Sequence, residues 1–276
     1  MLLNILSQTI RADGLALYRF FFAIVLAYES LRQRSFLCQY FSKSSLYFPH
    51  FGLNFIKPLP RFYFQLLILT KFLCSVFFAL GLYFPYTSKL LFAIQLYLFL
   101  LDKTLYSDAA YLRLLFLGLF CFVDAACVLS LDSYFREVKE LPYWKLLLFQ
   151  GQILIAYSFR AFWKFMPDWR QSKGLFLPFL NFFVWRKSKH YSDFSAFFSQ
   201  RQAYWLEKQL KNKALQKMLL HTLPIIELSM VWGLFIPKLQ LLFMALFLFY
   251  QAIYHLFSER EFPCENYALV LLWGWS

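Results

Sequence analysis

Long apolar runs, separated by basic or proline-bearing connections, decide what this chain can fold into. A helix that crosses the hydrocarbon core of a bilayer needs about 20 mostly apolar residues. Runs of that kind cover 14–31, 62–85, 88–102, 111–131 and 143–165, and then, after a long basic segment, 219–237 and 239–257. An eighth, 266–275, is short. These runs predict an all-α fold, a polytopic transmembrane helix bundle of seven to eight spans, forming one membrane domain over residues 1–276 with no separate soluble domain. Composition agrees: 61% of the residues are hydrophobic and 16% charged, where a soluble domain has about half and about a quarter. A single water-soluble core of this length would leave many Phe and Leu side chains facing water. Disorder, collagen, coiled coil and a disulfide scaffold are excluded on the same ground.

The net charge of +13 is local. Residues 32–61 carry Arg32, Arg34, Lys43, Lys57 and Arg61 with no acid, a net of +5. Residues 164–217 carry eleven basic side chains against Asp168, Asp193 and Glu207, a net of +8. Charge placed in connections between apolar runs suits anionic lipid headgroups or an acidic protein or peptide partner better than nucleic acid. Two connections are more than turns. Residues 46–60, with two X-Pro breaks among aromatic and polar groups, suit the headgroup region. Residues 174–189 are too short to cross and suit a re-entrant or surface helix, and 199–217 reads as an amphipathic surface helix. Four spans separate the two basic connections, so both lie on one face, which the positive-inside rule places in the cytoplasm.

Ionisable residues inside membrane spans are costly and are functional candidates by default. Arg19, Glu29, Lys71, Asp102, Asp124, Arg160 and Lys164 stand out. Glu29, Lys71 and Asp102 read most simply as span-end groups that meet water or snorkel to it. Arg19 lies deeper, where an ion pair with Asp124 or Asp102 is the expected partner. Arg160 and Lys164, at i and i+4, share one helix face. Two desolvated cations raise each other's energy, so Lys164 is a candidate neutral base or nucleophile, against a simpler reading in which both snorkel toward the basic segment. Cys74, Cys121 and Cys127 read as small core hydrophobes, and a Cys38–Cys264 bridge stays open. His50, His190, His221 and His255 are too far apart to form a metal motif, so no metal is expected. No P-loop, GxGxxG or serine triad is present. The first apolar run lacks a small-residue cleavage site and reads as a retained span.

Several segments in order resemble one family: LALYRFFFA (15–23), FPHFGLNFIKPLP (48–60), LLDKTLYSDAAYL (100–112), SLD (130–132), LPYW (141–144), QGQILIAYSFRAFWKFMPDW (150–169), ELS (227–229) and LFS…FP (256–263). Together they resemble the membrane domain of vitamin K-dependent gamma-carboxylase and its bacterial relatives, the horizontally transferred transmembrane domain family. The resemblance implies a helix bundle in which a lysine deprotonates reduced vitamin K or menaquinol. Oxygen then makes a strong base that takes the gamma proton of a peptide glutamate before carbon dioxide adds. It places the catalytic lysine at Lys164, and in an enzyme of this kind Asp102, Lys103 and Gln152 would shape the site with this chain's own Arg160 beside the lysine; it also implies a multi-pass protein, here of a bacterial inner membrane. It also implies that the basic connections face the lumen or periplasm, opposite to the charge rule.

The chain departs from the family at several positions. Ala109 stands where the family's DKT motif supplies a histidine, Arg160 and Ala161 replace a small pair, and Trp163 precedes the lysine. Ala125, Ala126 and Cys127 stand where animal enzymes read ANH, and Tyr250 replaces a histidine of the seventh span. A lumenal domain for substrate capture has no counterpart. Losing a site histidine costs about 10²-fold or more in acid–base catalysis. These departures favour a non-catalytic membrane subunit or partner-binding protein over a quinol-dependent carboxylase-like enzyme, a lyase-like activity with Lys164 as base, which stays the alternative.

Overall fold

The computed structural model describes residues 9–11, 13–43, 48–50, 52, 55–103, 107–135, 140–166, 213–257 and 269–273. It is mostly helical. Among the described residues there are seven α-helices: α1 (Asp13–Lys43), α2 (Arg61–Leu80), α3 (Phe84–Leu101), α4 (Asp108–Phe122), α5 (Tyr143–Trp163), α6 (Lys213–Gly233) and α7 (Gln240–Phe257). A small antiparallel ribbon pairs β1 (Thr9–Arg11) with β2 (Glu140–Pro142), in the register Ile10 opposite Leu141. Three stretches are long and apolar enough to cross a membrane: Asp13–Arg32, Arg61–Leu80 and Phe84–Leu101. Ala110–Phe122 and Gln240–Gln251 are shorter apolar helices. The expected surface helices at 174–189 and 199–212 lie outside the described residues, as does Cys264. Of the eighth run, Leu269–Leu272 form a single 3-10 turn.

The chain divides into two compact units, Met1–Gln150 with Pro263–Ser276, and Gly151–Phe262. In the first, α2 shows why these helices belong in lipid. Phe64, Ile68, Lys71, Ser75 and Phe78 form its buried stripe, and Leu66, Leu69, Leu73, Phe77 and Leu80 form an exposed stripe of equal length. Both stripes follow helical spacing, so the helix is apolar nearly all round, as a lipid-facing helix is and a surface helix in water is not. Within the unit, Tyr18 and Phe22 of α1, Phe78 of α2, Phe84 of α3, Phe116 and Phe120 of α4 and Phe149 of α5 interlock. Ring centroids lie 4.8 Å apart for Phe120 and Phe149 and 5.2 Å for Phe78 and Phe120. Their tilted and edge-on geometry is the arrangement aromatic quadrupoles favour. A second cluster, Leu37, Phe64, Ile68, Ile94, Leu98 and Leu101, receives Ile56 and Leu59 from the proline-bearing connection.

The helix ends meet around one side chain. Gly81 stops α2 in the left-handed conformation (φ +64°), with its N–H and that of Leu82 closing onto the carbonyls of Phe78 and Phe77. A Cβ at Gly81 would collide with Ser130 Cβ and lie 2.9 Å from Arg19 Nη1, so glycine is required by space as well as by φ. Asp132 then caps α3, accepting from the N–H groups of Tyr83 (3.2 Å) and Phe84 (3.1 Å). Beneath this corner Arg19, fully buried, donates to the carbonyls of Ala125 (2.8 Å), Leu129 (2.6 Å) and Ala79 (3.5 Å) and lies over the Phe84 ring.

Arg19 therefore departs from the sequence expectation of an ion pair with Asp124 or Asp102. The last carbonyls of α2 and those of the non-helical 123–131 segment have no helical donor, and a guanidinium offers five N–H groups in a rigid fork. Asp124 instead turns its carboxylate onto the N–H of Ala126 (3.1 Å). Of the three residues read as span-end groups, Glu29 and Asp102 do stand near the ends of their spans, whereas Lys71 lies mid-helix, and none of the three is left to water. Asp102 and Lys71 are buried, and Glu29 bridges Arg113 (2.8 Å) and Lys71 (3.5 Å) across three helices.

Replacing Arg19 by Met leaves buried carbonyls without donors, at about 1–3 kcal/mol each. We expect the purified variant in detergent to lose several degrees of thermal unfolding temperature relative to the native protein. An unchanged midpoint would show that the carbonyls find other donors.

Candidate functional site

The second unit contains a cluster of ionisable side chains built around the end of α5. Three successive tight turns close this helix, Lys164 N–H to Ala161 O (3.1 Å), Phe165 N–H to Phe162 O (2.9 Å) and Met166 N–H to Trp163 O (3.1 Å), and the next residue in sequence is Pro167. The narrowing of the last turn is the usual way a helix satisfies its final carbonyls. It puts Lys164 just past the helix, one turn beyond Arg160 and on the same side.

The partner comes from α6. Glu227 is buried, 1% exposed, and its Oε1 accepts from Lys164 Nζ. The hydroxyl of Tyr250 on α7 donates to the same oxygen, and Arg160 Nε lies 3.7 Å from it. The approach of α6 to α7 has a local cause. Gly233 ends α6, and a Cβ there would collide with the ring of Phe243, so the missing side chain admits that ring. The chain reverses through the 3-10 turn Pro237–Leu239, and two helical turns beyond Phe243 the same face of α7 presents Tyr250 to Glu227. A further polar rung lies two turns earlier on α5, where Gln251 Nε2 donates to Tyr157 OH at 2.7 Å.

The sequence-derived site residues separate accordingly. Arg160 and Lys164 are brought together, on one carboxylate. Gln152 is half-buried on α5, about three turns earlier. Asp102 and Lys103 belong to the first unit. There the Lys103 N–H donates to Phe48 O (2.9 Å) and its ammonium lies 5.8 Å from the Phe48 ring, while His50 meets Phe99 O (3.2 Å), so this motif pins the 48–60 connection onto the end of α3. Ala109 falls in the first turn of α4. The ANH position is also structural here, since Ala125 O is an acceptor for Arg19.

Sequence reasoning missed Glu227 as a site residue and Arg113 as a partner of Glu29. Both sit inside apolar runs, 219–237 and 111–131, so the same criterion that singled out seven other ionisable residues would have found them. Tyr250 was noticed only as a replaced histidine. No metal-binding group of three or more His, Cys, Asp or Glu side chains occurs among the described residues.

Chemically, one carboxylate faces two cations and a phenol. Such a cluster can hold helices together or store a proton, but its lysine nitrogen is already bound to an anion. The HTTM domain family model matches residues 7–274. No curated protein and no solved structure matches the chain.

Removing Glu227 leaves two cations without their carboxylate, which costs about 3–5 kcal/mol for a buried pair. We expect Glu227→Ala to lower the unfolding midpoint in detergent more than Lys164→Met, because Arg160 and Tyr250 still serve Glu227 in the latter. The double variant should be less destabilised than the sum of the two, and strict additivity would argue against the pair.

Proposed function

This chain belongs to the HTTM domain family, the membrane domain of vitamin K-dependent gamma-carboxylase-like proteins, and we propose that it serves as a divergent, non-catalytic membrane subunit of that fold. In this reading the chain is multi-pass, with seven to eight spans in a bacterial inner membrane, and its basic and aromatic surfaces hold a protein or peptide partner.

One observation supports it above the others: the Lys164 amine is engaged by the Glu227 carboxylate, on the oxygen that Tyr250 also occupies. A reduced quinone needs a base whose nitrogen lone pair is open to a hydroxyl proton. An ammonium paired with a carboxylate has no such lone pair. A tyrosine stands where the family supplies a histidine, and its hydroxyl is spent on Glu227. The residues present therefore do not fit a reduced vitamin K or menaquinol, and no proton transfer to this amine is assigned. The charge of the chain supports the partner half of the proposal, since its excess of thirteen positive charges is concentrated in residues 32–61 and 164–217.

The test is direct. Protein purified in detergent is given reduced menaquinone or reduced vitamin K, oxygen, a glutamate-containing peptide and labelled bicarbonate. We expect no label in the peptide and a protein co-purifying in fixed stoichiometry from the native membrane. Label that enters the peptide and disappears in Lys164→Ala would overturn the proposal in favour of a carboxylase-like enzyme.

A further inference from the structure

We propose that the end of the first unit carrying Lys57, Arg61 and Lys103 is a binding site for an anionic phospholipid, its phosphate against these cations and an acyl chain along the exposed face of α2. The inference goes beyond the subunit reading and does not depend on it, because it concerns what the first unit takes from the bilayer rather than which protein it holds.

The surface is a fixed platform. Ile56 and Leu59 of the proline-bearing connection pack inward, against the cluster that contains Phe64, Leu98 and Leu101. The Tyr97 hydroxyl donates to the Lys57 carbonyl (2.9 Å), and the Lys103 N–H donates to Phe48 O (2.9 Å). Pro58 and Pro60 restrict the backbone between Lys57 and Arg61, so the two cations are presented with little freedom left to lose on binding. With its apolar side chains turned to the protein, the connection leaves cations and rings outside. Lys57, Arg61 and Lys103 are exposed, and so are Phe55, Phe62 and Tyr63. None of the three cations is in an ion pair among the described residues, and the carboxylate described at this end, Asp102, is fully buried.

Their level in the membrane identifies the occupant. The α2 span begins at Arg61 and the α3 span ends at Leu101, so all three cations stand at one end of both. At 1.5 Å per residue the 20 residues of α2 extend about 30 Å, the thickness of the hydrocarbon core. The cations therefore lie where the phosphates of one leaflet lie, with Phe62 and Tyr63 in the position of an interfacial aromatic belt. Below them Phe62, Leu66, Leu69 and Leu73 recur at helical spacing on the exposed side of α2 and offer a track to an acyl chain. An acidic peptide would use the cations and leave that track uncovered, whereas a phospholipid covers both. Guanidinium and ammonium groups suit phosphate oxygens. Each basic side chain at the surface strengthens attraction to an anionic lipid about fivefold.

The full chain in detergent is given phosphatidylglycerol that carries a diazirine on one acyl chain, close to the headgroup, and labelled peptides are mapped by mass spectrometry after irradiation. Label is expected within residues 55–73, displaced by unlabelled phosphatidylglycerol at concentrations at least tenfold lower than by phosphatidylcholine. Replacing all three cations (Lys57→Gln, Arg61→Gln and Lys103→Gln) should reduce this label at least fivefold with the unfolding midpoint near native. Lys89→Gln, which removes an exposed cation near the other end of α3, should leave it unchanged. Undiminished label in the triple variant overturns the proposal. Where that variant fails to fold, the native protein decides alone: equal displacement by the two lipids overturns it. Displacement by a polyglutamate peptide or by inorganic phosphate as readily as by phosphatidylglycerol also overturns it, in favour of an acidic peptide or a free anion. Carboxylation by the native protein would sink the subunit reading without altering the label, so the two fail separately.

Discussion

A charge or an unpaired carbonyl inside an apolar bundle has to find its partner within the protein, because neither lipid nor packed Phe and Leu can replace water. The described helices are arranged around that requirement. In the first unit a guanidinium serves carbonyls of Ala79, Ala125 and Leu129, and a carboxylate on α1 draws in cations from α2 and α4. In the second unit a carboxylate on α6 gathers donors from α5 and α7. Each ties together segments that apolar packing would leave free to slide, since Leu and Phe contacts are nearly interchangeable along a helix while a hydrogen bond is not. Polar groups thus fix register in a bundle whose cohesion is otherwise non-directional.

The membrane character and the helix positions were legible because they depend on local quantities. Length and apolar content place α2 and α3 close to the expected 62–85 and 88–102 and the apolar stretch Asp13–Arg32 close to the expected 14–31, although α1 itself runs on to Lys43, and the Pro60 and Gly81 boundaries of α2 follow from restrictions those residues impose on their own backbone. What polar side chains touch was less legible, because pairing is a property of three dimensions. Arg19 was recognised as deep, but its partners are carbonyls exposed where α2 stops and where 123–131 leaves helical geometry, and nothing in the residue types there marks unsatisfied acceptors. Lys71 lies mid-helix, so a snorkelling account needed a reach that its four-carbon stem does not have. Glu227 had a visible signal, an acid inside an apolar run, yet its meaning depended on Gly233 letting α7 approach.

The departures from the family pattern acquire a shared explanation in these contacts. Exchanging a histidine for Tyr250 removes a group that can both give and take a proton near neutral pH and supplies one that, at Glu227, only donates. Ala125 contributes its carbonyl rather than a side chain to the Arg19 corner. Arg160, where a small residue is usual in the family, adds a second cation beside the same carboxylate. Tyr250, Ala125 and Arg160 each contribute here to a contact within the protein.

The hub of the cluster in the second unit is a carboxylate. In a catalytic site the lysine is the centre, and its neighbours serve to tune it. Here the centre is Glu227: three side chains, from α7 and from the end of α5, converge on one of its two oxygens. Removing a lysine that is one donor among three is expected to cost the architecture less than removing the carboxylate that all three share. The amine is thereby one component of a node that ties the end of α5 to α6 and α7.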